Sequence, residues 1–241
     1  MVVLVRPRNP LNIGAAARAM SNFGVGHLRL VNPYAVAFRE ARSAVGASAL
    51  LKQAEEFKAV SEAVADCSLV IGTTAVRNRA LQHPLHQLGE ESRQLIRAGL
   101  TSGRVAVLFG SEKIGLTNED FTHCHWLLTI PTRQEHISMN LGQAVAVCLY
   151  DIASGAVESS TPEANRTQKA NEPAIAGECE QITAVLLDAL HRSGYVKPGN
   201  DAVSEKKVRA LVRRFGLSRV DAKVLLGMVR QIVWKLRQGK N

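Results

Sequence analysis

The sequence predicts an α/β domain with a mainly parallel sheet, followed by a small, basic helical domain. Along residues 1–155, short apolar runs alternate with helical patterns, which is typical of α/β folds. After residue 178, apolar residues return at helical spacing beyond a polar segment. The 241 residues suffice for one domain of ordinary size and a second, smaller unit. We therefore expect domains over 1–155 and 178–241, joined by a linker over 156–177.

The elements of the first domain follow from its apolar runs and helix-capping residues. Asn12 is expected to cap the first helix, because an Asn side chain accepts hydrogen bonds from the free N–H groups at a helix start. Gly24 is expected to end that helix, since glycine adopts the left-handed C-cap conformation at little cost. The predicted strands are 2–5, 28–31, 69–72, 105–109 and 127–130, and the predicted helices are 13–23, 61–65, 90–98 and 141–154.

The linker and the tail differ in their apolar content. Residues 156–177 contain two prolines and almost no large apolar side chains, so they cannot bury enough surface to order themselves. The tail beyond them carries three groups of apolar residues at helical spacing, which predict about three helices. The groups are Ile182, Val185, Leu186 and Ala189, then Val208, Leu211, Val212 and Phe215, then Val224, Leu225, Met228, Ile232 and Leu236.

The positive charge is concentrated in the tail. Of the net charge of +9, residues 1–155 contribute +3, residues 156–177 contribute −1 and residues 178–241 contribute +7. Such a concentration is expected of a protein that binds a polyanion such as RNA, although a solvated basic helix bundle has the same composition. The same alternatives hold for its basic stretch, whose side chains either contact RNA phosphates or form the polar face of an amphipathic helix. The candidate RNA contacts are Lys206, Lys207, Arg209, Arg213 and Arg214.

Several functional classes are not indicated. The longest apolar runs are far below the roughly 20 residues that span a bilayer, and no charged-then-apolar leader precedes Val2, so we expect a cytoplasmic protein without membrane contact. The four cysteines are widely and irregularly spaced without a C-x-x-C pair, which argues against disulfides and zinc. The histidine pairs at 83/86 and 123/125 are expected to be surface or packing residues, so no metal is expected.

Three segments carry the polar residues from which chemistry is expected, and the first follows the first strand. It reads Asn12-x-Gly14-x-x-x-Arg18. A helix start after a strand presents backbone N–H groups to a ligand. Arg18 is expected to hold an anion or a carbonyl, because a guanidinium on a small-residue helix face is otherwise costly. The alternative is a capped helix whose alanines allow close packing.

The second segment, residues 108–117, follows the most apolar strand. Gly110 and Gly115 flank Glu112 in a loop at the carboxyl end of that strand, where open α/β sheets bind ligands. The loop has neither the G-x-G-x-x-G pattern nor the GK[ST] ending of phosphate-binding loops, so nucleotide-phosphate binding is not indicated.

The third segment runs over residues 130–145. A strand ends at Ile130, a polar loop follows, and Ser138 or Asn140 is expected to cap the next long helix. Each polar residue of the three segments, taken alone, is explained by a cap or a turn. Their combination is more specific than any one of them.

In this order and at these separations, the three segments resemble the motifs of the SPOUT class of RNA methyltransferases, in its 2'-O-ribose branch. The likeness covers residues 2–154. The stretches 30–33 (LVNP), 67–77 (CSLVIGTTAVR) and 115–119 (GLTNE) further resemble the bacterial enzymes that methylate the pyrimidine at tRNA position 32. A basic helical tail after a polar linker is also the layout of that group.

The resemblance implies a fold and a cofactor that periodicity alone does not predict. The fold is a parallel sheet with a trefoil knot towards its C-terminal end, although knots are near-absent by base rate. The cofactor is S-adenosylmethionine, held in a bent shape mainly by backbone groups, which Gly110 favours because it has no Cβ. The residues expected against it are Thr73, Thr74, Ala75, Gly110, Ile130, Ile137, Ser138 and Met139.

The resemblance also implies catalytic roles. Arg18 is expected nearest the transferring methyl group, as a clamp on the phosphate next to the target ribose, since a guanidinium is a poor base. Asn12, Glu112, Ser138 and Asn140 are expected to orient Arg18 and the ribose. The relatives usually form homodimers in which this arginine completes the partner's site, so a homodimer acting on tRNA is expected.

Three other functions are compatible with parts of the sequence. The same chemistry could act on ribosomal RNA or another tRNA ribose, because the motifs position a hydroxyl without specifying its owner. A non-catalytic RNA-binding member of the fold is a second alternative, against which the intact Arg18, Glu112 and Ser138 argue. A nucleotide-dependent oxidoreductase fits the alternation of strands and helices but lacks the glycine-rich fingerprint.

Overall fold

The computed structural model describes residues 1–43, 49–75, 83–133, 135, 137–154, 172–197 and 199–238. Within these residues, seven parallel strands form one sheet in the order β3-β2-β1-β6-β4-β7-β5. The strands are β1 (Val2–Val5), β2 (Leu28–Val31), β3 (Glu55–Phe57), β4 (Leu69–Thr73), β5 (Leu85–Gln87), β6 (Val105–Phe109) and β7 (Trp126–Thr129). The parallel α/β sheet predicted from the sequence is confirmed.

Helices cover the sheet and form the C-terminal part. In the described part of the chain they are α1 (Pro10–Asn22), α2 (Ala35–Ser43), α3 (Ala49–Lys52), α4 (Val60–Ala63), α5 (Glu90–Ser102), α6 (Asn118–Phe121), α7 (Leu141–Ser154), α8 (Ala176–Arg192), α9 (Asp201–Arg214) and α10 (Arg219–Gln238). Among these residues, none of the helices has the length and apolar character needed to cross a membrane.

The sheet is buried on both faces, because alternate residues of its central strands enter two separate cores. In β1, Val2 and Leu4 belong to a core shared with α1, α2, α5 and α7, whereas Val3 and Val5 belong to a core shared with α4 and α6. Strands buried on both sides are apolar at consecutive positions. For this reason the five central apolar runs predict their strands to within one residue.

The helix predicted over 61–65 is found as α4 (Val60–Ala63), but the remaining strands and the short helices α3 and α6 are not predicted from the sequence. The edge strands β3 (EEF) and β5 (LHQ) are largely exposed and have no apolar run. Each pairs with one neighbour only, so its residues need not be apolar on either face. Their positions follow from the pairing partner and not from their own composition.

The first helix begins earlier than predicted, and Asn12 is not its cap. The cap is Asn9, whose Oδ1 accepts a hydrogen bond from the Leu11 N–H at 2.9 Å, with Pro10 at the first helical position. Asn followed by Pro is a strong helix-start signal, since proline needs no N–H there. Asn12 instead lies inside α1 with only 9% of its surface exposed, which frees its side chain for another role.

The C-terminal helices α8, α9 and α10 pack around their own small core. Its members include Cys179, Ile182, Val208 and Val212. In α10 the buried side chains are Ala222, Val229 and Val233, whereas Val224, Met228 and Ile232 of the apolar pattern noted in the sequence are more than half exposed.

The predicted linker lies mostly outside the described residues. Its described part, residues 172–177, is packed against both units. The N–H of Ala174 donates to the Leu217 carbonyl in the tail, and the N–H of Ala176 donates to the Cys67 carbonyl beside the sheet, each at 2.8 Å. Because Ala176 also begins α8 and joins the core of the sheet, the tail is docked on the first domain from its first residues.

The four cysteines are free and buried. Burial raises the pKa of the Cys67 and Cys148 thiols to about 12 and also raises the pKa of Cys124 and Cys179. Because the thiolate is the reactive form, these side chains act as small apolar packing groups.

Candidate active site

A cavity of about 280 Å³ lies at the carboxyl ends of β4, β6 and β7. Its volume is near the lower end of the range for small-molecule sites, about 300–1,000 Å³. All eight residues that the resemblance assigns to the cofactor line this one cavity. Glu112 and Gly115 of the second sequence segment also line it. The sequence did not point to the remaining members, which are Phe109, Ser111, Lys113, Ile114, Leu116, Leu128, Thr132, Leu141 and Ala144.

The floor of the cavity depends on a tight turn at Gly110. A Cβ at this position would lie 2.0 Å from the carbonyl carbon of Gly115 and 2.1 Å from the nitrogen of Leu116. No side chain fits there, because these neighbours are backbone and cannot rotate away. Gly115 itself has φ +67°, in the left-handed region that favours glycine. The two glycines therefore fold the loop 110–116 back on itself beside the cavity.

The adjacent strand end is held by threonines. The Thr73 hydroxyl donates to the Leu108 carbonyl at 2.8 Å, and the Thr74 N–H donates to the Leu128 carbonyl at 2.9 Å. These bonds tie the ends of β4, β6 and β7 together. They keep three walls of the cavity in fixed register.

One polar network joins the three sequence segments. The Asn140 Nδ2 donates to the Asn12 Oδ1 at 2.8 Å, and the Asn12 Nδ2 donates to Glu112 at 3.0 Å. Asn140 also caps α7, because its Oδ1 accepts from the N–H groups of Gly142 and Gln143. Of the two caps considered from the sequence, Asn140 is therefore the one used.

Glu112 fastens the β1–α1 loop to the wall of the cavity. Its carboxylate accepts the Asn12 amide and the backbone N–H groups of Arg8 and Asn9, the latter two at 3.1 Å. Partial burial opposes ionisation of Glu112, but these hydrogen bonds outweigh it and lower its pKa below the usual value. A carboxylate that is both saturated with donors and weakly basic is suited to positioning.

An ion pair that sequence reasoning missed supports the same loop. Arg6, at the end of β1 with φ 53°, makes a bidentate pair with Asp120 of α6. Asp120 is 3% exposed, and its burial is outweighed by Arg6 and Thr117, so its pKa is lowered. The two residues are 114 positions apart, and no local pattern signals such a pair.

Arg18 is not part of this network. It lies on the exposed side of α1, does not line the cavity and makes no hydrogen bond or ion pair with the described residues. Six residues of helix place it about 9 Å along the axis from Asn12 and about 120° around it. Because the guanidinium is solvated, the cost of burial from which an anion partner was expected does not apply, and the role of Arg18 toward an anion stays a prediction. Nor do Asn12, Glu112 and Asn140 orient it within this chain, since they bind one another.

Ser138 is exposed at the edge of the cavity. Its hydroxyl makes no hydrogen bond with the described residues. It is therefore free to bind a ligand, in contrast to Asn140, whose side-chain oxygen and nitrogen are both used.

The five predicted RNA contacts of the tail fall into two groups. Lys207 and Arg214 are exposed, and Lys206 pairs with Glu119 at 2.9 Å. Arg209 and Arg213 are 8% and 2% exposed, and both donate to Glu180. This corrects the expectation for the buried pair, which takes the alternative role of packing the tail against the first domain.

The histidine pairs do not form a metal site in the described residues. Among these residues, no group of three or more His, Cys, Asp or Glu side chains could hold a metal ion. His86 contacts Glu91 at 3.0 Å and the edge of Trp126, whereas His125 is half-buried and its Nδ1 accepts the Val70 N–H at 3.0 Å.

Comparisons with known proteins agree on one family. Residues 1–150 match the model of the SpoU rRNA Methylase family. The chain is 32% identical to the tRNA (cytidine/uridine-2'-O-)-methyltransferase TrmJ of Sodalis glossinidius, over 96% of this chain and 90% of that protein. It is 31% identical to TrmJ of Photorhabdus laumondii, with 96% and 95% covered. The crystal structure of TrmJ from Z. mobilis ZM4 superposes with a TM-score of 0.80 at 32% identity, covering 96% of this chain and 97% of the other.

Proposed function

The chain belongs to the SpoU rRNA Methylase family, and on that premise we propose that it transfers a methyl group from S-adenosylmethionine to a ribose 2'-hydroxyl in tRNA. The family-level resemblance predicted from the motifs is confirmed. The likeness to tRNA 2'-O-methyltransferases extends over 96% of the chain, the basic tail included. This coverage favours tRNA over ribosomal RNA as the substrate.

One observation carries the proposal: the three family segments meet at one cavity and are joined there by the Asn140–Asn12–Glu112 network. The cavity suits the cofactor. Its walls combine apolar side chains, against which a purine ring can pack, with polar groups, and the Ser138 hydroxyl at its edge is free to donate or accept. The turn at Gly110 brings backbone to the cavity without a side chain in between.

When bound, the cofactor supplies an electrophilic methyl group on a sulfonium. The chemistry it would supply is transfer of that methyl group to the ribose oxygen, with release of the neutral thioether S-adenosylhomocysteine and of the hydroxyl proton to solvent. Alignment of the two reactants can remove as much as about 7–11 kcal/mol of barrier in the best cases. The residues of this chain contribute to alignment: the cavity fixes one reactant, and the network holds the β1–α1 loop beside it. Glu112 is a positioning residue, since its lowered pKa makes it a weak base.

The active enzyme is a homodimer in which Arg18 serves the partner's cavity. On α1, the exposed side chains Leu11, Ala15 and Arg18 form one stripe, and on the adjacent α7 the exposed Val147 and Tyr150 form another. Leu11 is 79% exposed and Tyr150 63%, and large apolar side chains exposed on two adjacent helices favour a protein interface. In the partner's site, Arg18 clamps the phosphate next to the target ribose.

The chain has a trefoil knot in the region of β6 to α7. Two features support this proposal. The loops after β6 and β7 line the same cavity. The strand order places β6 between β1 and β4, and β7 between β4 and β5, although both follow β5 in sequence. An experimental electron-density trace of 105–154 tests it, since an unknotted path through these residues would contradict the proposal.

The target is the pyrimidine at position 32 of the anticodon loop, and the enzyme works in the cytoplasm. The stretches 30–33, 67–77 and 115–119 support the position, although residues 76 and 77 lie outside the described residues. The division proposed for the chain is a methyltransferase domain over 1–155, a linker over 156–177 and a basic helical domain over 178–241, whose first helix begins at Ala176, two residues inside the proposed linker.

The substrate is tested with radiolabelled S-adenosylmethionine and two acceptors, unmodified tRNA and ribosomal RNA. We expect label in tRNA only, located at position 32. Label in ribosomal RNA alone would overturn the tRNA assignment, and absence of label in both would favour a non-catalytic RNA-binding member of the fold.

A further inference from the structure

Three cations at the mouth of the cavity have no carboxylate partner among the described residues, unlike many basic side chains of the first domain. Those others are neutralised by carboxylates: Arg6 by Asp120, Arg29 by Glu55 and Asp66, Arg93 by Glu90 and Asp151, and Arg104 by Asp66. Arg8, Lys113 and Arg133 are exposed, and their side chains make no hydrogen bond or ion pair with the described residues. Their charge is available to a ligand.

The three cations come from three different loops around one opening. Arg8 follows β1, and its backbone N–H donates to Glu112 in the cavity wall at 3.1 Å. Lys113 lines the cavity directly. Arg133 comes next to Thr132, which lines the cavity after β7. Because β1, β6 and β7 are parallel, their carboxyl ends meet at one edge of the sheet, so these cations surround the site where the target ribose must enter.

We propose that Arg8, Lys113 and Arg133 form a phosphate-binding rim that grips the RNA backbone on either side of the target nucleotide. The inference rests on the proposed function and adds which residues hold the substrate at the site. A ribose that enters the cavity carries a phosphodiester on each side, and free cations on separate loops match this arrangement. Contacts of this kind fix position without reading the base, which suits an enzyme that accepts more than one pyrimidine.

The rim also supplies phosphate contacts that the buried arginines of the tail cannot make. Arg209 and Arg213 form ion pairs with Glu180, and Lys206 forms an ion pair with Glu119. Lys207 and Arg214 remain exposed, do not line the cavity and are the tail cations available to RNA among these five. The tail therefore contributes general attraction, and the rim sets the register of the ribose.

The salt dependence of the tRNA binding constant reports how many phosphates the protein's cations neutralise. For single-stranded nucleic acid, log K falls against log salt with a slope of about −0.7 for each phosphate contacted. Dissociation constants of the full-length protein are measured from low to physiological salt for wild type, Arg8→Gln, Lys113→Gln, Arg133→Gln and the triple variant. The slope is expected to flatten by about 0.7 for each single variant and by about 2 for the triple variant.

Two controls separate the rim from general charge and from the cofactor site. Arg104→Gln removes one exposed charge just before β6, at the opposite edge of the sheet, and is expected to leave the slope unchanged. Affinity for S-adenosylmethionine is expected to stay within a few-fold of wild type in all rim variants. If Lys113→Gln weakens the cofactor as much as it weakens tRNA, Lys113 belongs to the cofactor site and the rim as proposed is wrong.

Two further outcomes separate a failure of the rim from a failure of the proposed methyltransferase function. A triple variant with the wild-type slope, in a protein that methylates tRNA normally, overturns the rim and leaves the proposed function standing. A wild-type protein that transfers no methyl group to tRNA overturns both.

Discussion

Gly110 is the position in the cavity where a single added carbon has the clearest consequence. In Gly110→Ala the new Cβ would overlap backbone atoms of Gly115 and Leu116, so the loop must open. We expect the affinity for S-adenosylmethionine, measured by calorimetry, to fall about tenfold or more. Gly227→Ala is the matched control, because Gly227 lies in α10 and an added Cβ there would have no atom within 4 Å. A Gly110→Ala protein with wild-type cofactor affinity would show that the loop is not part of the site.

Glu112 is expected to position the β1–α1 loop, because its ionised carboxylate accepts hydrogen bonds from three N–H donors. In Glu112→Gln, an amide N–H₂ replaces one acceptor and faces the N–H donors of Arg8, Asn9 or Asn12, so at least one donor loses its partner. We expect kcat/KM for tRNA methylation to fall about tenfold while cofactor affinity stays within a few-fold. Because its pKa is lowered, the carboxylate contributes fully above its usual pKa and is lost only as the pH falls below it. The positioning role would be contradicted if kcat of the wild type depended on a group that titrates near pH 7 and that is assigned to Glu112.

Residue identities in the cavity are predicted well from sequence, and their interactions are not. Motif resemblance places Thr73, Gly110 and Ser138 at one cavity, because short motifs determine local backbone. The contacts of Asn12 depend on Glu112 and Asn140, which are 100 and 128 positions away. Such pairs follow only from the strand order, so a cap was the natural local explanation for Asn12.

The packing of α9 against α8 within the tail depends on a buried ion pair between these two helices. The Arg213 side chain is fully buried, and its Nη2 donates to Glu180 at 3.0 Å. Its Nε and Nη1 have no hydrogen-bond partner among the described residues. Glu180→Gln leaves this charge uncompensated and is expected to destabilise the protein by about 3 kcal/mol in urea unfolding. Combining it with Arg213→Met should restore most of that loss, and a single variant within about 1 kcal/mol of wild type would contradict the role of the pair.

The same carboxylate predicts an acid-sensitive step. Burial opposes ionisation of Glu180, but the neighbouring His123, Arg213 and Arg209 outweigh it and lower its pKa to about 2. Its stabilising contribution is therefore complete above its ordinary value near 4.5 and is lost as the pH falls from there towards 2. Melting temperatures of wild type are expected to fall more steeply than those of Glu180→Gln over this interval. Parallel curves for the two proteins would be evidence against it.

At the scale of elements, the sequence predicts those strands and helices whose own residues are largely buried. Central strands and long helices carry enough apolar residues to be found, whereas β3 and β5 are defined by their neighbours. The apolar pattern alone also does not determine which face of a helix is buried. In α10, apolar residues occur on both faces, and the structure buries Val229 and Val233 while Met228 and Ile232 face solvent.

The assembly of the whole molecule is tested by complementation between two inactive variants. Arg18→Ala keeps its own cavity, and Gly110→Ala keeps its arginine. If Arg18 serves the partner's site, a mixed dimer contains one complete site, and an equimolar mixture after subunit exchange should recover about a quarter of wild-type activity. Arg18→Ala alone is expected to lose methylation but to bind the cofactor within a few-fold. No recovery in the mixture, with dimers confirmed by light scattering, would show that each chain is self-contained.

The central claim is that the ribose 2'-hydroxyl of tRNA receives the methyl group. Alkali cleaves RNA through a free 2'-hydroxyl, so a methylated ribose leaves an uncut dinucleotide. The direct measurement is alkaline hydrolysis of tRNA labelled by the wild-type protein from methyl-labelled S-adenosylmethionine. We expect the label to migrate with alkali-resistant dinucleotides whose first member is a pyrimidine. Label released in mononucleotides would place the methyl group on a base and contradict 2'-O-methylation.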